Sequence, residues 1–145
     1  MATDIVYDAV QEYLKDNWTE TTISWENERF AEPVAENDVL LPFIAVEIEG
    51  DVWDQESIGA GEDRQENRWQ ESGTLIVHVF VPAGSGGRES RQISTRVANL
   101  FRGLNLDPDI EFRGIRIGTG ARTEDEGGSK GNYWGRTVAV EWIRG

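Results

Sequence analysis

The chain is 145 residues long and 38% hydrophobic, with six Trp, five Phe, three Tyr, no Cys and a formal charge of −13. That length suits one domain, expected to span residues 1–145, and the apolar content excludes a disordered chain of low hydrophobicity. The acidity argues against a surface built to neutralise nucleic-acid phosphates or an anionic membrane, and the lack of Cys excludes disulfides, thiol nucleophiles and Cys-ligated metals.

The N-terminus, "MATDIVYDAVQEYLKDNW", carries acids where a secretory signal needs a basic start, and no stretch approaches the roughly 20 apolar residues that span a bilayer. A soluble protein of the cytoplasm is expected. From Thr3 to about Trp18, Ile5, Ala9 and Tyr13 recur at i+4, and Val6, Val10 and Leu14 repeat that spacing one residue on. The two rows make one apolar stripe of an amphipathic helix, with Thr3 as N-cap and Asp4 at the positive end of the dipole.

"TTISWEN" is a short β-prone run, followed by a loop through Pro33 to Pro42. In "FIAVEIEGDVW", Ile44, Val46 and Ile48 alternate with Ala45, Glu47 and Glu49, which predicts a strand. Residues 51–67 are polar, acidic and long for a hairpin connection, so either they are functional or their ends extend the strands. From Trp69 to Val81 a second strand sets Leu75, Val77, Val79 and Val81 on one face and Ile76, His78 and Phe80 on the other.

"VPAGSGGRES" then leads into a second helix predicted over about 88–104, with Ile93, Val97, Leu100, Phe101 and Leu104 in one stripe and Gly103 as terminator. In "DIEFRGIRIG" the apolar phase changes between Phe112 and Ile115, which a β-bulge at Arg113 and Gly114 reconciles. A second long acidic and glycine-rich segment covers 118–132, and Val138, Val140 and Trp142 alternate in a closing strand. The order α-β-β-β-α-β-β predicts an α+β fold, a mostly antiparallel sheet of four to five strands with two amphipathic helices packed on one face.

Strand, glycine turn and helix is the layout of a phosphate cradle, but Gly84, Gly86 and Gly87 precede Arg88 and Glu89, not the Lys and Ser or Thr of a P-loop. A plain connector, capped by Ser85 or a glycine, is expected, and no cofactor. His78 is the only histidine, so no His-based triad or His-rich metal site can form within one chain. It reads as a packed, hydrogen-bonded side chain. The acids Glu62, Asp63, Glu124, Asp125 and Glu126 match neither a paired-carboxylate site nor an EF-hand and read as solvated loops, with weak cation binding as the alternative.

Arg88, Arg91 and Arg102 fall in a narrow sector opposite the apolar stripe of the second helix, with Thr95 and Asn99 between them. Such a sector is either a solvated face or, on so acidic a chain, a docking surface for a neighbouring acidic subunit. Trp53 and Trp134 flank the long segments and are candidate interface anchors.

Taken in order, "ISWEN" with Phe30, "LPFIAVEI", "GTLIVHVFVPAGSGG", "VANLFRG" and "NYWGRTVAVEW" resemble the tail-terminator (tail-completion) proteins of long-tailed bacteriophages and phage-derived gene transfer particles. The resemblance implies a non-enzymatic ring in the virion tail or neck, usually of six subunits. Such a ring caps the tail tube protein, ends its polymerisation and offers a surface to the head connector. DNA would pass through the lumen without specific binding, with Glu62, Asp63, Glu124, Asp125 and Glu126 as candidate lumen or interface acids. The alternatives are another neck or head-completion protein and an acidic DNA mimic that inhibits a DNA-binding enzyme.

Overall fold

The computed structural model describes residues 3–55, 69–124 and 130–145. Its elements are α1 (Asp4–Asn17), β1 (Thr22–Trp25), a 3₁₀ turn (Glu36–Asp38), β2 (Phe43–Gln55), β3 (Trp69–Pro82), α2 (Arg88–Phe101), β4 (Asn105–Leu106), β5 (Ile110–Ile117), β6 (Ala121–Glu124) and β7 (Lys130–Arg144). The fold is mixed α+β, as expected, but the sheet has seven strands where four or five are predicted. They run β1-β2-β3-β7-β5-β4, with β6 also on β7. β1 joins β2 in parallel, and the pairings among the later strands are antiparallel.

The two helices form for the reasons that their periodicity suggests. In α1, Val6, Val10 and Leu14 are wholly buried, Asp4 and Lys15 complement the dipole, and Trp18 closes the helix through its N–H to the Leu14 carbonyl. Thr3 holds the N-cap position, yet its hydroxyl caps nothing: it donates to Glu71 Oε1 at 2.8 Å. α2 buries Ile93, Val97 and Phe101, together with Ser90, Ser94 and Ala98. It stops at Phe101, three residues before the predicted end, because Gly103 turns the chain at φ +66. Leu106 and Asn105 then pair with Ile110 and Glu111 to make β4.

On the sheet, the registers Val46↔Val77↔Val138 and Leu75↔Val140 align the apolar phases of β2, β3 and β7 on one face. That face shares a single apolar cluster with Val6, Val10 and Leu14 of α1 and Ile93, Val97 and Phe101 of α2, which places both helices on it. Each fully buried aliphatic side chain contributes roughly 1.5–3 kcal/mol. The expected bulge is present as a register shift between Phe112 and Ile115. At Gly73 the backbone of β3 passes so close to the Glu49 carbonyl that a Cβ would overlap it, and that Cβ would lie 2.7 Å from Trp142 Cζ2.

The ends of both long polar segments continue the ladder, which is one of the two alternatives for 51–67 and a departure from the loop expected over 118–132. β2 runs on to Gln55, opposite Trp69, past a shift between Gly50 and Val52. β6 pairs with the first part of β7, so much of 118–132 is strand and not loop. Backbone groups that would otherwise stay unpaired find partners on β3 in the first case and, in the second, on the part of β7 that β5 does not reach. Since β3 and β7 are antiparallel, the β2/β3 hairpin and the β6/β7 hairpin leave the sheet at opposite ends. No described helix is long and apolar enough to cross a membrane.

Candidate interaction surfaces

The outer face of α2 carries an open groove of about 690 Å³ lined by Gly87, Arg88, Arg91, Gln92, Thr95 and Arg96. Gly84 and Gly86, at φ +85 and +90, turn the chain out of β3, and Gly87 is the N-cap. Ser85 bonds back to the Pro82 carbonyl at 2.7 Å, so Gly87 and not Ser85 is the cap. The structure thus brings Arg88 and Arg91 together and adds Arg96, which the sequence reading passed over. Arg96 meets Glu20 at 3.3 Å, while Arg91 donates to the Gly87 carbonyl at 3.1 Å. Neither Arg88 nor Arg91 has a carboxylate partner among the described residues. Arg102 is the C-cap residue, exposed but about 16 Å along the helix axis from Arg91. The triad of arginines is therefore a pair with a distant third.

Beneath the same helix lies a buried cation that the sequence reading did not single out. Arg136 of β7 is 8% exposed, and it donates through Nε to Ser90 Oγ at 3.4 Å and through Nη1 to the Gly118 carbonyl at 2.8 Å. It fixes the first turn of α2 to the β5–β6 junction. The only hint in the sequence is that Arg136 keeps phase with Val138, Val140 and Trp142.

Between β1 and β2 the chain forms a small arm. Val34 pairs with Leu40 in an antiparallel bridge, Ala35 N–H bonds the Val39 carbonyl, and Leu41 N–H bonds the Pro33 carbonyl. Asn37 and Asp38 turn the tip at φ +65 and +59. The arm exposes three aliphatic side chains, Val34 (52%), Val39 (56%) and Leu41 (39%), flanked by Glu32, Glu36 and Asp38. No basic residue falls between positions 31 and 41.

The arm is rooted on the sheet face away from the helices. There Phe30 meets Phe43, which stacks on Phe80 and abuts Tyr133. The Tyr133 phenol is buried, its hydroxyl has no partner among the described residues, and burial, with Glu32 second, holds its pKa above the ordinary 10.0. His78 continues this face: its ring stacks on Phe80, Nδ1 lies 3.3 Å from the Thr137 hydroxyl, and Nε2 lies 3.6 Å from Glu47. It is packed and hydrogen-bonded, as expected.

Trp134 is half-buried against the core, its indole against Gly120 where a side chain would collide with it. Trp53 lies opposite Glu71 in the β2/β3 register, but its side chain is outside the described residues, as are Glu62, Asp63, Asp125, Glu126 and the side chain of Glu124. A polar cleft of about 540 Å³ gathers Asp107, Asp109 and Glu111. Among the described residues no group of three His, Asp or Glu is arranged to hold a metal ion.

A family model described as "Phage tail terminator protein" matches residues 5–142. Among solved structures 24 chains match. One of them superposes with a TM-score of 0.67 at 19% sequence identity, covering 100% of this chain and 96% of that one, a likeness of fold. No curated protein matches the sequence.

Proposed function

The chain belongs to the phage tail terminator family, a family of structural tail proteins, and from that premise we propose that its copies close into a ring. The ring, of six subunits as the resemblance implies, caps the tail tube, ends its growth and receives the head connector. The family match over residues 5–142 carries this reading. The topology supports it, because a subunit whose two long hairpins leave the sheet at opposite ends can touch the tube with one and the connector with the other.

The work of such a protein lies in its surfaces. A small subunit with distinct faces can repeat a head-to-tail contact until the rotation closes. A ring of copies each at −13 would repel the DNA backbone along its lumen, so DNA would slide without adhering. Adding the purified protein to polymerising tail tube protein tests the reading. Tube growth should stop at a length set by the time of addition, and growth unaffected by stoichiometric protein would contradict it.

A further inference from the structure

Two features of the chain complement each other and do not meet within it. The α2 groove carries Arg88 and Arg91 without carboxylate partners among the described residues. The arm at 33–41 shows Val34, Val39 and Leu41 to solvent between the acids Glu32, Glu36 and Asp38. The groove opens on the helix face of the sheet, while the arm is rooted through Phe30 and Phe43 on the opposite face. A single chain therefore cannot seat its own arm in its own groove.

We infer that the arm of one copy docks in the α2 groove of the next, Val39 and its neighbours against the helix between Arg91 and Thr95, Glu36 and Asp38 against Arg88 and Arg91. This rests on the ring proposed above and names the contact that closes it. The contact is heterologous, since the donor surface and the acceptor surface differ, so each copy offers both and the chain of contacts continues until it meets itself. Aliphatic burial supplies attraction, and the acid-to-Arg pairing sets the register and disfavours two arms or two grooves meeting.

The absence of native cysteine makes the test direct. Val39→Cys with Thr95→Cys in one chain should give a disulfide-linked ladder that ends at the ring under mild oxidation, while each single variant stays uncrosslinked. In parallel, Arg91→Glu should lower self-association at least tenfold, and Glu36→Arg added to it should restore most of the loss, with circular dichroism reporting that each variant is folded. Rings that form without the crosslink, and a charge swap that rescues nothing, would overturn the arm-in-groove contact and leave the ring standing. Protein that stays monomeric in solution and on tubes would remove the ring itself.

Discussion

Arg136 reaches from β7 to Ser90 in the first turn of α2, Nε to Oγ at 3.4 Å, with the guanidinium almost wholly buried. This is the tie that orients the helix bearing the Arg88 and Arg91 groove. A buried cation held by a hydroxyl and a carbonyl, with no carboxylate partner among the described residues, is an expensive way to position a helix. Arg136→Ala should cost about 2–4 kcal/mol, from the cavity and the unpaired Gly118 carbonyl. Arg136→Met, which refills the volume without a charge, should recover most of that. Urea denaturation of the two variants checks the ordering, and equal loss in both would contradict it.

Gly73 separates the Glu49 backbone from Trp142. Gly73→Ala has no flexible neighbour to displace on the Glu49 side, so β2 and β3 must shift. A loss of about 1–3 kcal/mol is expected, read as a lowered thermal midpoint. Gly84→Ala meets no atom within 4 Å but sits at φ +85, so its cost should be smaller and purely conformational.

Much of this frame could be read from period alone. The rows Val6, Val10, Leu14 and Ile93, Val97, Phe101 lie where helical spacing puts them, and the phase break between Phe112 and Ile115 is the bulge. β4 and β6 were not legible, because two and four residues of mixed polarity owe their strand state to ladder partners elsewhere in the chain, β5 and β7. The arm is not legible for the same reason: the Val34 to Leu40 bridge has no alternating pattern to announce it. Arg96 lies outside the narrow helical sector of Arg88, Arg91 and Arg102, whereas in the folded helix the groove spreads one position to the side and includes it.

Tyr133 gives the alkaline limb of stability. Its folded pKa lies above the ordinary 10.0, so the neutral phenol favours the fold up to about pH 10, and that contribution is lost as pH rises through the folded value. Tyr133→Phe should flatten the fall in stability above pH 10. Tyr7 and Tyr13 are shifted the same way, so part of the slope should remain. Near neutrality the same variant should change stability by less than about 1 kcal/mol, toward stabilisation, since it removes a buried hydroxyl without a partner among the described residues. Stability against pH from 7 to 12, for both proteins, decides the point.

If acids in the hairpin segments face the lumen, charge reversal there should slow DNA. Glu62→Lys with Asp63→Lys, or Asp125→Lys with Glu126→Lys, should lower the rate of DNA ejection from assembled particles, more strongly at low salt. Ejection rates unchanged in both double variants would count against an acidic lumen.

Electron microscopy of finished tail tubes incubated with this protein and then with connector tests the capping ring most directly. A ring of the protein should sit at the head-proximal end of each tube, six subunits around, with connector joined only to tubes that carry it. Bare tubes that join connector equally well, with the protein left free in solution, would contradict it.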